Sequence, residues 1–342
     1  MPEMAVPWRG GSDELICVDV QDEAPDVRTF WFAAASDADF AFRAGQFVAL
    51  ALPTRAGPLW RCFTIASPPT RPRRIALTVK RQPDGQATRW MHEELQPGMR
   101  LRGQPPAGRF ALDAPPARKL VLIAAGSGAT PMIAIARWLQ DLRSHSPVHY
   151  LHVARHAADH LFHAEVTRIA GDLGGWRHDW LSTGATGRPS AAVLRTRVPD
   201  LGNAVVFCCG PAAFMAMART AFDQAGGSPA DWHEESFAIG ATGATAEPEP
   251  PATASGFAIR FEPAGVTAMA GPGETLLAVA TRARQTILHA CRQGICGSCR
   301  IHKISGEVEM TQQGGITATE IAAGDILACC SRARSPLVLE LP

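Results

Sequence analysis

The sequence predicts a multidomain chain: a small antiparallel β-barrel, then an α/β domain on a parallel sheet, then a compact domain around a cysteine loop. Three observations carry this. From Leu15 to about Asp113, short β runs (ICVDV, VRTFWFAA, QFVALALP, RCFTIAS, RIALTVKR) are separated by turn residues, the spacing of a small barrel. Beyond Pro115 and Pro116, strand runs alternate with helical ones, as in KLVLIAA then PMIAIARWLQDLR, and VHYLHVA then LFHAEVTRIAG. That alternation predicts a parallel sheet covered by helices on both faces. Near the end, CRQGICGSC sets Cys291, Cys296 and Cys299 at spacing C-x4-C-x2-C, with Cys329 and Cys330 further on.

The totals agree with this division. At 342 residues the chain exceeds one ordinary core. Hydrophobic content of 46% with 19% charged residues describes a globular protein, and a net charge of +1 argues against a nucleic-acid role. Nine cysteines is an odd count, and MPEMAVPWRG has no apolar signal core. Secretion is therefore not expected, and the cytosol suits thiols that must stay reduced. Two uncharged runs, 120–136 and 201–218, are interrupted by Gly and Pro, so each reads as strand, turn and helix and no membrane span is expected.

Residues 1–11 read as a loose tail and 11–113 as the barrel, where Ile75, Leu77 and Val79 alternate as a half-buried strand requires. In the α/β region, 114–239, Ser190 is placed to cap a helix. NAVVFCC leads through Gly210 and Pro211 into AAFMAMARTAFDQAG, and WHEESF makes the last strand. Residues 240–256, small and proline-rich, read as a linker. The final domain, 257–342, holds the strand FAIRFEP, a helix around Thr275 to Ala283, the cysteine loop and a returning LVLEL.

Chemistry enters at four places. In Arg61-Cys62-Phe63-Thr64 a cation and a flat ring two residues apart share one side of a strand. Such a pair can hold a diphosphate beside an isoalloxazine, although Arg-x-Phe alone equally describes a salt bridge beside a core ring. The run Thr78-Val79-Lys80-Arg81 on the next strand offers two more cations, and the polar turn from Gly85 to Thr88 before a helix offers N–H groups suited to a pyrophosphate. A solvated basic face is the plainer reading of that stretch. Gly126-Ser127-Gly128-Ala129-Thr130-Pro131 lies between a buried strand and a helix. Its glycines permit close backbone approach, and Pro131 in the first helical turn costs no hydrogen bond, so Gly126, Gly128, Thr130 and Pro131 suit a second phosphate. A simple tight turn is the alternative. Cys208-Cys209-Gly210-Pro211 ends the fourth strand of the sheet, where ligands gather, with Arg155 and His156 at another strand end.

The cysteine loop is the most specific signal. Two irons around one inorganic core need four thiolates, and C-x4-C-x2-C is the plant-type 2Fe-2S spacing. Gly294 and Gly297 let the loop turn tightly. The 29 residues between Cys299 and Cys329 suffice for a hairpin that returns with the fourth ligand, and Cys330 stands next to it. Zinc, bound through C-x2-C pairs, would use Cys296 and Cys299 and leave Cys291 idle. No acid-base catalyst for an organic substrate stands out. His152, His156, His160 and His163 straddle a strand end and a helix start, so surface or core roles fit them better than ligation.

With these residues assembled, nearly the whole chain resembles the ferredoxin-NADP reductase superfamily, in the branch with a C-terminal 2Fe-2S domain of β-grasp fold. It is most similar to reductase components of Rieske-type oxygenases that demethylate quaternary amines, and to the NADH reductase of the hybrid cluster protein. The resemblance implies that RCFT is the family's flavin motif with Phe63 in place of tyrosine, that GSGATP takes the nicotinamide pyrophosphate, and that Cys209 lies beside the nicotinamide. Phe237 resembles the residue near the flavin ring that yields when nicotinamide stacks. In the family a Leu-Ala or Leu-Thr pair precedes the last ligand; Leu327 and Ala328 precede Cys329, which implies Cys291, Cys296, Cys299 and Cys329 as the iron ligands. FAD and NADH are carried over the same way; beyond Arg155, no basic pair follows VHYLHVA to hold a 2′-phosphate, and Arg155 itself leaves NADPH open as the donor. The expected activity passes electrons from NADH through FAD and the 2Fe-2S cluster to a partner, a Rieske-type oxygenase component or another electron-accepting protein. A redox sensor is the rival from a different class.

Overall fold

The computed structural model describes residues 7–53, 58–237, 256–287, 292, 294, 297–312 and 315–341. It divides into two compact units, Met1–Ala238 and Ile239–Pro342.

The first unit begins with six antiparallel strands, β1 (Leu15–Ala24), β2 (Val27–Ala34), β3 (Phe47–Leu52), β4 (Leu59–Thr64), β5 (Ile75–Lys80) and β6 (Arg100–Ala107), with helix α1 (Gln86–Glu93) between the last two. Their order is β4-β3-β6-β1-β2-β5, and the end strands close on each other where the Ala66 N–H donates to the Ala76 carbonyl at 2.8 Å. Alternation sorts the side chains of β5. Ile75, Leu77 and Val79 fill the barrel with Phe30, Phe32 and Leu50, while Ala76 on the opposite face joins a second core. Residues 7–11 are not a uniformly loose tail: Trp8 is buried in the barrel against Phe40, at 5.2 Å between ring centroids. Burying an indole outweighs the ordering of a few residues.

The α/β part follows as β7 (Leu120–Ala125), α2 (Ala129–Asp141), β8 (Val148–Ala154), α3 (His163–Leu173), β9 (Arg177–Ser182), α4 (Thr183–Thr186), α5 (Ala191–Arg197), β10 (Val205–Cys209), α6 (Ala212–Gln224) and β11 (Trp232–Glu235). All pairings in its sheet are parallel, in the order β11-β10-β7-β8-β9. The apolar runs of β7 and β8 are buried on both faces, which is why they lack alternation. Ser190 caps α5 by accepting the Val193 N–H at 3.3 Å. Barrel and sheet share one core, in which Ala44, Ala66, Ala76 and Phe110 pack with Met132, Ile135 and Phe207. Arg137 on α2 reinforces it, donating to the Ala66 carbonyl at 2.9 Å while pairing with Glu165 at 2.7 Å.

The second unit contains β12 (Phe257–Glu262), β13 (Val266–Ala270), α7 (Leu276–Arg282), β14 (Arg300–Ser305), β15 (Val308–Met310), α8 (Ala318–Ala322), β16 (Asp325–Leu327), β17 (Ser331–Ala333) and β18 (Leu337–Glu340). A sheet ordered β13-β12-β18-β14-β16, with β12 and β18 parallel, packs against α7. The expected linker 240–256 lies, apart from Gly256, outside the described residues. No described helix is long and apolar enough to cross a membrane.

Candidate active site

The parallel sheet reverses its winding between β7 and β10, and the loops leaving those strands meet there. Ligands of open α/β sheets bind at such switch points, beyond the carboxyl ends of the strands. After β7, Gly126–Gly128 makes a single 3-10 turn and runs directly into α2. A Cβ on Gly128 would stand 2.2 Å from the Cys209 carbonyl oxygen, so only glycine lets the two loops approach this closely. Thr130 is buried and its hydroxyl donates to the Ser127 carbonyl at 3.0 Å, while Pro131 is buried in the first turn of α2. Both shape the turn from within.

Cys209 is as fully buried as Cys208, and burial first, then the nearby Glu235, pushes its thiol well above the ordinary value. Gly210 is held between Phe214 and Ala125, and Pro211 is exposed at the start of α6. The parallel register of β10 and β11 sets Glu235 beside Cys209. Glu235 Oε2 is buried without a hydrogen-bond partner, and desolvation pushes the carboxyl up to about 8. Phe237, two residues beyond, is 39% exposed. Arg155 is exposed past the end of β8, where its carbonyl accepts the Gly184 N–H at 2.8 Å.

On the barrel, Arg61 and Phe63 sit on β4 opposite Leu50 and Val48, both half-buried. Desolvation lowers the Arg61 pKa, and its Nη1 donates to the Trp60 carbonyl at 2.8 Å. Cys62 is on the other side of the strand, opposite Ala49. Thr64 is buried and its Oγ1 has no partner. Thr78 shares a 2.7 Å hydrogen bond with Thr29, Val79 belongs to the barrel core, and Lys80 is exposed. Gly85 is the N-cap of α1, which starts before RWMHEEL, and Thr88 closes that turn by accepting the Gln82 N–H at 3.0 Å. Strand β5 passes close to the Gly126–Gly128 turn, so flavin-motif barrel and phosphate-type turn face one region.

In the second unit, the Cys329 N–H donates to Cys299 Sγ at 3.4 Å, and the Ala328 N–H to the Cys299 carbonyl at 3.0 Å. These two thiols are thus neighbours. Cys330 Sγ lies where a Cβ on Gly294 would come within 2.8 Å of it. Cys291 and Cys296 lie outside the described residues. Gly294 has φ +71 and Gly297 φ +72, conformations that favour glycine.

Of the seven buried side-chain nitrogens and oxygens without a hydrogen-bond partner among the described residues, two, Thr64 Oγ1 and Glu235 Oε2, belong to this region. Such atoms are uncommon in folded proteins. Here they stand on the flavin-motif strand and beside Cys209, fitting a flavin and a nicotinamide respectively. Sequence reasoning missed Glu235; its available signal was a carboxylate at the carboxyl end of a parallel strand, two residues before Phe237.

Comparison with known proteins agrees with this geometry. Residues 15–112 match the oxidoreductase FAD-binding domain, 122–220 the oxidoreductase NAD-binding domain, and 259–334 the 2Fe-2S iron-sulfur cluster binding domain. The chain is 37% identical to the stachydrine N-demethylase reductase subunit Stc4 of Rhizobium meliloti, covering 94% of each. It is 35% identical to the glycine betaine monooxygenase reductase subunit of Chromohalobacter salexigens, over 97% of this chain and 96% of that one. NADH oxidoreductase HCR of Escherichia coli is 30% identical over 99% of both. Among solved structures, phthalate dioxygenase reductase shares the fold, with a TM-score of 0.63 at 24% identity over 96% of this chain and 97% of that one. The chain therefore belongs to the ferredoxin-NADP reductase superfamily, in the branch with a C-terminal 2Fe-2S domain, as an NADH-dependent oxidoreductase that uses FAD and a 2Fe-2S cluster.

Proposed function

We propose that this chain is the reductase component of a two-component oxygenase, carrying electrons from NADH to a Rieske-type partner that N-demethylates a quaternary amine. The observation that carries this is the 35–37% identity, over almost the full length, to reductase subunits of a stachydrine demethylase and a glycine betaine monooxygenase. FAD supplies the link between a donor of electron pairs and an acceptor of single electrons. The chain's part is placement and exclusion of water. On this reading the barrel module is 11–113, the nicotinamide module 114–239 and the iron-sulfur module 257–342, joined by the 240–256 linker.

Arg61 and the start of α1, with Gly85, Thr88, Thr78 and Lys80, hold the flavin diphosphate. Phe63 lies against the ring system, and Thr64 offers its unused hydroxyl. The Gly126–Gly128 turn and the N-terminus of α2 take the NADH pyrophosphate, with Arg155 toward the adenosine. Cys209, Gly210, Glu235 and Phe237 wall the nicotinamide. At pH 7 the Cys209 thiol and the Glu235 carboxyl both keep their protons, which makes that wall uncharged. Cys291, Cys296, Cys299 and Cys329 hold the iron. The cytosol is the proposed location.

The test is reconstitution with candidate Rieske proteins under NADH. Formaldehyde release from stachydrine or glycine betaine, dependent on this chain, is the expected result. Cys296→Ala abolishes cytochrome c reduction while ferricyanide reduction persists. Steady electron delivery excludes the sensor reading; NADH oxidation that serves no Rieske partner refutes the proposal. The full-length likeness to NADH oxidoreductase HCR favours, as second reading, delivery to another soluble acceptor.

A further inference from the structure

Beneath the Gly126–Gly128 turn lies a buried pair of imidazoles that the proposed reaction does not use. His152, near the end of β8, is fully buried. Its Nε2 is 3.0 Å from the Gly126 carbonyl oxygen and its Nδ1 is 2.9 Å from His160 Nδ1. His160 Nε2 is in turn 3.2 Å from Ser182 Oγ, the last residue of β9. Trp180 packs its ring edge-on to both imidazoles, at 5.9 and 5.4 Å between centroids. Three adjacent strand ends are thereby connected.

The direction of each bond follows from chemistry. A carbonyl only accepts, so His152 carries a proton on Nε2. Burial pushes its pKa down to about 4, so at pH 7 it is neutral and Nδ1 must accept. His160 then donates from Nδ1, and when neutral it accepts at Nε2 from the Ser182 hydroxyl. All three bonds point one way, from Ser182 toward Gly126.

The receiving carbonyl matters because of what shares its plane. The peptide joining Gly126 to Ser127 is rigid and trans, so its N–H points opposite to its C=O. Gly126 has φ +56, a conformation that glycine takes without strain, so the orientation of that plane depends on what its carbonyl accepts. Two donors hold the carbonyl, the Ala129 N–H and His152 Nε2.

We propose that His152, backed by His160 and Ser182, is a positioning residue that holds the Ser127 N–H outward as a donor to a dinucleotide phosphate. This rests on the reading that the Gly126–Gly128 turn binds NADH. It adds that binding at this loop is set by tautomers buried behind it.

The experiment has two arms on the full chain. In the first, the wild-type protein is labelled with 15N-histidine and its ring tautomers are read by long-range correlation spectra, assigned with His152→Gln and His160→Gln. His152 is expected as the Nε2–H form and His160 as the less common Nδ1–H form; Nε2–H at both overturns the proposal without reference to activity. In the second arm, Gln offers an amide nitrogen near the place of Nε2, whereas Asn reaches only as far as Nδ1. His152→Gln is expected to keep the KM for NADH within about twofold and His152→Asn to raise it about tenfold, with the effect on KM rather than kcat, the size of one lost positioning hydrogen bond. Equal KM values for the two variants, with NADH still saturating the wild type, overturn the positioning role of His152 alone. Failure of the wild type to be reduced by NADH overturns the site reading as well. If either variant fails to fold, the tautomer spectrum of the wild type decides.

Discussion

Glu235 supplies the sharpest prediction. The residue is half-buried beside Cys209, its Oε2 is buried with no hydrogen-bond partner, and desolvation raises the carboxyl from the ordinary 4.5 to about 8. Because the folded value lies above the unfolded one, the stability contribution is fully present below about 4.5 and is lost as pH rises through about 8. Each pH unit in that window costs about 1.36 kcal/mol, so the loss across it is on the order of 5 kcal/mol. Glu235→Gln keeps the shape and cannot ionise. Its own packing cost is independent of pH and cancels when the variant is compared with wild type at two pH values. Between pH 5 and pH 8 the part of that loss sampled is about 3.5 kcal/mol, so the melting temperature of the variant, relative to wild type, should rise by roughly 7–14 °C, at about 2–4 °C per kcal/mol for a unit of this size. Differential scanning fluorimetry on the flavin-free protein measures it. Parallel pH profiles for the two proteins would refute the burial argument.

Three further outcomes follow from the same geometry. His152 titrates with the opposite sign: its folded pKa of about 4 lies below the unfolded value near 6.5, so stability is lost as pH falls between them. Urea midpoints from pH 7 to pH 4 should show a loss of about 3 kcal/mol that His152→Gln lacks. Arg137→Leu removes the donor to the Ala66 carbonyl and leaves the partly buried Glu165 unpaired, and should destabilise the first unit by roughly 2–3 kcal/mol in urea titration; a change below about 0.5 kcal/mol defeats that account. Cys329→Ser should abolish acid-labile sulfide and the brown chromophore, whereas Cys330→Ser should retain both. The reverse pattern would reassign the fourth ligand.

The sheet architectures were legible because they are carried by local signals. LVLIAA is apolar throughout and VHYLHVA nearly so, and both strands are buried on both faces; the alternation of Ile75, Leu77 and Val79 marked their barrel-facing side, but the other side of β5 is covered too, because Ala76 packs into the core shared with the parallel sheet. Spacing likewise exposed the cysteine loop and the GSG turn. What escaped was pairing between elements far apart in sequence. Nothing in WHEESF tells that β11 lies parallel to β10 with Glu235 against Cys209, since that register is fixed by packing across the sheet. The four histidines were read as surface or core residues, and His152 is indeed core, but its contact with His160 depends on the turn between β8 and α3. Trp8 escaped for a related reason: a short terminal segment has no periodicity, and a single indole finding a pocket beside Phe40 orders it.

The two residues hardest to find have one property in common. Glu235 and His152 both stand at carboxyl ends of strands in the parallel sheet, and burial holds both in their neutral forms near pH 7, one by raising and one by lowering the pKa. Glu235 costs stability as pH rises from about 4.5 to about 8 and His152 as pH falls from about 6.5 to about 4, so the two windows overlap between about 4.5 and 6.5. A sheet end carrying either group charged would place a fixed charge in a medium of low dielectric, where it acts strongly on a neighbouring nicotinamide or phosphate. Keeping both neutral leaves the α2 N-terminus and Arg155 as the proposed attractors of the dinucleotide. On the proposed reading, phosphate is then selected through backbone N–H groups and the nicotinamide approaches a wall with no charge of its own. An apolar residue at 235 would remove a buried carboxyl that has to stay protonated, whereas one at 152 would strip the Gly126 carbonyl and His160 of a partner. Their polar atoms are therefore explained by what they face, a backbone carbonyl for His152 and the proposed nicotinamide pocket for Glu235.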